Sequence, residues 1–378
     1  MFFLLGLPYR LFNPATNLTS DSWNTISQMS HKQPELIYLS NIENITELKL
    51  QLAKIDKAFQ NENSSYGLYM DMMDVENKSK NNKNKSSQLK STLFWSGRSF
   101  YYNLIHAYIL SGGQDKNALN IYQNAIDSFD KIGVFKTSSS TNEHHYYVNS
   151  YFVEDRGQEE NNNQMMMEFS GCYLGAMLSL GANAMQNALS SRDSQHIYSN
   201  QQKQLEFSRI KRHLLLGKQL TETCHQAGMK SLTGLAPNIF YFKHNQHDPV
   251  IDGEGYYGLT AELAESYFIL WRLTNDSNYR EYAWSMAQAI DKYCKMDHID
   301  QGYSAIINVN QVPTKKNYYQ NPQFLSATLK YLYLTLKDDT NAIPLNKWIF
   351  NSQGHPLPIC GTNSNYPIEK CYLFIDTL

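Results

Sequence analysis

Residues 259–274 read LTAELAESYFILWRLT and decide the fold. Leu263, Tyr267 and Leu270 recur at helical spacing, and Ala264, Phe268 and Trp271 thicken the same stripe, so the stretch predicts an apolar-rich helix. The polar run Thr-Asn-Asp-Ser at 274–277 ends it, and a second helix starts at Tyr279. The same unit recurs along the chain. Residues 99–111 carry Phe100, Leu104, Ala107 and Leu110 at helical spacing, a Gly-Gly-Gln-Asp turn follows, and residues 118–129 resume the period. Residues 325–336 followed by Lys-Asp-Asp-Thr form a third copy, and residues 165–181 and 207–228 predict two more long helices. No stretch sustains period-two alternation. Helix–turn–helix units of one kind with little strand imply an all-α repeat: a bundle, a solenoid or a closed toroid.

Between these helices lie polar runs near 76–91 (ENKSKNNKNKSSQLKS), 138–142 and 158–164. They are too polar to bury and read as solvated insertions within one domain spanning 1–378. Lys and Arg total 33 against 35 Asp and Glu, which removes any nucleic-acid footprint. The 27 tyrosines suit contacts to the C–H face of a sugar, although the commoner fate of a tyrosine is half-burial in helix packing. The opening MFFLLG is too short for a signal segment, and no other run is long and apolar enough to span a bilayer. Sequons at Asn17, Asn44, Asn63, Asn77, Asn84 and Asn275 are as many as chance gives in so Asn-rich a chain. Five cysteines leave one over and do not by themselves fix a redox compartment.

Several short runs in order carry a specific resemblance. Tyr66-Gly67-Leu68-Tyr69 looks like a GLY turn, and SFYYNL from Ser99 like an S-F-Y-E-Y-L helix. MEFSGCYLGAMLSLG from Met167 is similar to M-x-H-L-x-C-F-x-G-G-M-L-x-L-G. Thr223-Cys224-His225, GLAPNIF from Gly234, TLKYLYL from Thr328 and FNSQGHP from Phe350 follow at matching distances. Together they resemble the family 47 glycoside hydrolases, the class I α-1,2-mannosidases that trim N-linked glycans. The resemblance implies an (α/α)7 barrel lacking the first third of the family domain, an E-x-x-I-R segment with an acid included. It also implies a disulfide between Cys172 and Cys224, high-mannose glycans on glycoproteins as partners, and residence in the lumen of the endoplasmic reticulum or Golgi.

The chemistry the resemblance implies is inverting: a general acid on the leaving oxygen, and a base activating a water across the ring. Glu262 stands at the base position, and Glu265 at a glycan-contacting one. Without the flanking match, two glutamates at i, i+3 would read as a solvated helix face. A calcium ion is implied at the FNSQGHP run, where Ser352 offers a hydroxyl and a carbonyl; Asn238 and His355 are candidate glycan contacts. Other family positions are substituted. A catalytic Asp is Arg98, which neither gives nor takes a proton near neutrality. The Arg and Pro preceding the base are Thr260 and Ala261. Acidic positions are Asn238, Ala327 and Gln353, the last weakening calcium. These losses keep open a non-catalytic, glycan-binding relative, and a helical scaffold with neither activity. The His244–His247–Asp248 and His144–His145 clusters read as solvated loops, and Met165–Met167 as core filler opening a helix.

Overall fold

The computed structural model describes, side chains included, residues 34–43, 68–69, 99–138, 145–148, 165–191, 199–242, 255–296, 302–364 and 366–371, with a few isolated positions besides. Helix α1 runs over Gln33–Ile42, α2 over Trp95–Leu110 and α3 over Lys116–Lys131. The turn between α2 and α3 is built from its own polar atoms. Ser111 Oγ accepts from the amides of Gln114 (3.1 Å) and Asp115 (2.9 Å), and Asp115 caps Ala118 N at 3.0 Å. Gly112 and Gly113 both have left-handed φ there, 68° and 83°. Helices α4 (Leu174–Ser190) and α5 (Asn200–Met229) form the next hairpin, α5 opening on a Ser199–Gln202 capping box. Then come α6 (Glu262–Thr274) and α7 (Asn278–Cys294), joined through Asn275 in the left-handed C-cap that asparagine tolerates. A π-turn at Phe324–Thr328 leads into α8 (Leu329–Leu336).

Successive helices alternate between two layers. Helices α1, α2, α4, α6 and α8 pack side by side as neighbours, while α3 backs α2, α5 backs α4, and α7 covers α6 and α8. Composition explains the division. Residues 174–182 of α4 are all buried, as an inner helix apolar on every side must be, whereas α3 and α7 bury one stripe only. Close approach is bought with glycine: a Cβ on Gly175 would strike Thr221, and one on Gly181 the Tyr122 hydroxyl. Stacked helical hairpins in two layers are the architecture of an α/α toroid, the one of the repeat's three alternatives that the family resemblance implies.

Strands, where described, are two or three residues long. One correction follows: residues 165–168 do not open a helix. Met166–Glu168 pairs antiparallel with Ile239–Tyr241, and a 3-10 turn at Phe169–Tyr173 precedes α4. Met167 does fill the core, at 1% exposure. A further hairpin joins Trp348–Phe350 to Pro356–Pro358 and packs on α2.

The Cys172–Cys224 disulfide forms, with Cα atoms 5.9 Å apart, fastening the start of α4 to α5. A second bridge, Cys360–Cys371, goes beyond the pairing the resemblance implies, and buried Cys294 is the free thiol. Among the described residues no helix is long and apolar enough to cross a membrane. The polar run 76–91 and the His244–Asp248 loop lie outside the side chains described, as do 158–164 and His144.

Candidate functional site

One layer gathers side chains from the first turns of α6 and α8, the middle of α2 and the turn before α4. Tyr102 from α2 donates its hydroxyl to Glu265 Oε1 of α6 at 2.8 Å, and Tyr331 from α8 donates to the same oxygen at 3.2 Å. The Tyr102 ring lies 5.8 Å from that of Tyr173, just before α4. Phe268 stacks on Tyr331, and Phe350 from the 348–358 hairpin meets both. Three inner helices and the turn before α4 therefore present side chains to one level, with Glu262 and Glu265 in the first turn of α6. Both carboxylates are buried, at 6% and 8% exposure. That decides between the readings of their i, i+3 spacing: they are not a solvated face.

The start of α6 is held under strain. Leu259 is fully buried with φ of 57°, a left-handed conformation that a leucine adopts only when its surroundings impose it. Thr328 Oγ1 donates to its carbonyl at 3.1 Å, tying the approach to Glu262 to the beginning of α8. Tyr257 lies near Glu262 and Cys294, and burial holds its hydroxyl well above the ordinary tyrosine range. Burial first, and then Glu265, does the same to Tyr331. Both phenols stay protonated, so Tyr331 remains a donor to Glu265.

The tip of the 348–358 hairpin closes the layer. Asn351 Nδ2 donates to Glu35 Oε1 of α1 at 2.6 Å. Glu35 Oε2 is inaccessible to solvent with no hydrogen-bond partner among the described residues. Gly354 has φ of 74°, and a Cβ there would lie 2.6 Å from the Ser326 carbonyl and 2.9 Å from Ala327, so only glycine fits. Lys330 Nζ reaches the Gly354 carbonyl at 2.6 Å, and Gln323 Nε2 the Ser352 carbonyl at 3.2 Å.

The residues singled out in the sequence divide into groups. Glu262 and Glu265 share the first turn of α6, Ala327 is buried in the π-turn that packs on α6, and Ser352 and Gln353 sit half-buried at the hairpin tip next to Gly354, which abuts Ala327. Thr260 is half-buried on the approach to α6. Asn238 has an exposed side chain, while its backbone amide donates to the Tyr256 carbonyl at 2.7 Å and its carbonyl accepts from Phe169 N. His355 is exposed, its amide donating to Asn351 Oδ1. Arg98 lies in the first turn of α2, and its side chain is outside those described. Tyr102 and Glu35 are additions. The quoted SFYYNL already shows a tyrosine where the family helix has glutamate, whereas a lone Glu35 in a short helix gives no signal.

The profile of glycosyl hydrolase family 47 matches residues 5–359. The chain belongs to that family. It is 29% identical over 369 residues to mannosyl-oligosaccharide alpha-1,2-mannosidase IA of Drosophila melanogaster, covering 96% of this chain and 49% of the relative. To mannosyl-oligosaccharide 1,2-alpha-mannosidase IB of Homo sapiens it is 26% identical, with 94% and 50% covered. The chain thus spans about half the length of the curated relatives it matches. The solved alpha-1,2-mannosidase from Trichoderma reesei superposes with a TM-score of 0.74 at 17% identity, covering 94% of this chain and 71% of that one; this likeness is one of fold.

The fit of calcium to this family 47 chain is a question of donors. A tightly held calcium takes about six to eight oxygens, usually with carboxylates among them. Among the described residues no three His, Cys, Asp or Glu side chains group as a metal site. Ser352 and Gln353 are uncharged, and the Ser352 carbonyl is already engaged by Gln323. The donor set at the tip does not fit a tight calcium site.

Proposed function

We propose that this chain handles high-mannose N-glycans of glycoproteins at the layer around Glu262 and Glu265, as an α-1,2-mannosidase with Glu262 as general base. The observation that carries this is the burial of Glu262 and Glu265 on one turn of α6, at the level where Tyr102 and Tyr331 converge. In an inverting hydrolysis Glu262 takes a proton from the attacking water. The water oxygen bonds to the anomeric carbon as its bond to the leaving oxygen breaks, and a second carboxyl protonates that oxygen. Glu265, fixed by two phenols, is a rigid acceptor for sugar hydroxyls, and Asn238 and His355 offer exposed polar groups outside the layer. Two disulfides and the family's trade in N-glycans support the lumen of the endoplasmic reticulum or Golgi as its place.

A second reading, binding without turnover, is favoured by specific positions. Arg98 and Ala327 stand where the family motifs carry carboxylates, and no step is routed through calcium. One experiment separates the two: incubation of the protein from its source with a nine-mannose oligosaccharide, glycan mass being followed in time. Stepwise hexose loss that falls at least about 100-fold in Glu262→Gln supports the hydrolase. Oligosaccharide binding with unchanged mass supports the second reading, and neither binding nor loss overturns both.

A further inference from the structure

The segment that feeds α6 carries a second structure outside the carboxylate layer. Tyr257 and Ile306 exchange backbone hydrogen bonds at 3.1 Å, and Ile306 bridges in turn to Lys316. Asn317 N donates to the Ala305 carbonyl at 3.1 Å, and Ala305 N to the Tyr319 carbonyl at 2.8 Å. The result is a three-ply ribbon, one ply of which runs directly into Glu262. Asn317 is its rivet. Its Oδ1 accepts from Tyr319 N at 3.0 Å and faces Ser304 Oγ, and its Nδ2 reaches the Tyr256 hydroxyl at 3.4 Å. Tyr256 is the residue whose carbonyl accepts from Asn238.

Tyr318 sits between these pinned positions with φ of 59° and 84% exposure, and Tyr319 beside it is 51% exposed. A tyrosine in the left-handed region is disfavoured by its Cβ, and an exposed ring recovers nothing from packing. Strained backbone that the surroundings enforce is a mark of a working position. A flat apolar ring with a polar tip, set on a pinned backbone and facing water, matches the C–H face of a pyranose whose hydroxyls stay solvated.

We infer that Tyr318, flanked by Tyr319, is an outer subsite that stacks a hexose of the bound oligosaccharide, remote from the sugar at Glu262. The inference rests on the glycan-handling reading above. It makes the ribbon a reader of glycan length: a disaccharide fills the inner layer alone, and a branched oligosaccharide reaches both.

Isothermal titration with a nine-mannose oligosaccharide and with α-1,2-mannobiose tests it on the full chain. Tyr318→Ala weakens the long ligand about 5- to 10-fold and leaves mannobiose within about twofold, whereas Tyr318→Phe keeps both. Tyr318→Asn, which tolerates the left-handed backbone, keeps or raises Tm while losing the same long-ligand affinity. Wild-type protein that binds the long glycan no better than Tyr318→Ala does overturns the subsite and spares the inner site. Equal weakening of both ligands also overturns it, since the ring would then act on the inner layer. Wild type that binds neither ligand overturns this inference together with the reading beneath it.

Discussion

Tyr102 and Glu265, 163 residues apart, are joined by a 2.8 Å hydrogen bond that spans two inner helices. Since Tyr331 donates to the same oxygen, the carboxylate is a three-helix junction. Tyr102→Phe and Tyr331→Phe are each expected to cost about 1–2 kcal/mol in urea unfolding. Because they share an acceptor, the double variant departs from the sum by at least about 0.5 kcal/mol. A strictly additive cycle would show that Glu265 does not couple α2 to α8.

His106 makes the fold sensitive to acid. It is fully buried on α2, its ring 4.2 Å from that of Tyr102, with neither nitrogen hydrogen-bonded among the described residues. Burial lowers its pKa to about 3. The unfolded chain takes up this proton near pH 6.5 and the folded one only near 3, so the stability is present above 6.5 and lost as pH falls through that window. Between pH 7 and pH 5 the loss from this group is about 2 kcal/mol. His106→Leu should lose that much less over the same interval in urea titrations at the two pH values.

The Cys172–Cys224 bridge closes a separation of 52 residues. Chain entropy alone gives such a cross-link about 4 kcal/mol. Replacing both cysteines by alanine should lower the urea midpoint accordingly, with the denaturant slope as a check on the unfolded state. A loss below about 1 kcal/mol would place the stabilisation of α4 on α5 in packing instead.

Calcium should leave the thermal midpoint unmoved. With uncharged Ser352 and Gln353 at the hairpin tip, millimolar calcium is expected to shift Tm by less than about 1 °C, and chelator not at all. A concentration-dependent rise would mean that Ser352 gives up its contact with Gln323 to bind the ion.

The helical repeat was legible because its signals are local. The 274–277 turn, the Gly112-Gly113 turn and the apolar stripe of α6 are each contained within a few residues. Helix ends follow from them, though α5 begins earlier than its apolar period because the Ser199–Gln202 box lies in polar sequence. The strand at Met166–Glu168 was not legible, since its partner lies some seventy residues on at Ile239–Tyr241, and the short apolar run Met165–Met167 fits either structure. For the site, spacing alone would place Glu262 and Glu265 on the surface, and only the flanking motif turns them inward. Leu259 and Tyr318 announce nothing, because a left-handed φ on a large side chain is imposed by the tertiary structure. Cys360–Cys371 is hidden in the same way, since five cysteines do not name their own pairs.

The bond from Asn351 to Glu35 spans 316 residues, and that from Asn41 to Tyr366 spans 325. Helix α1 therefore has no native partner on the hairpin or beyond until more than 300 further residues are made, a delay of tens of seconds at ordinary rates of synthesis. Contacts of such range are slow to form and are won only after the intervening hairpins have shortened the search. The ring is thus expected to be assembled from its middle, α4 with α5 and α6 leading, and α1 joining last. Until then α1 has α2 to pack on, and the Glu35 carboxylate and the Tyr38 ring wait for Asn351 and Tyr366.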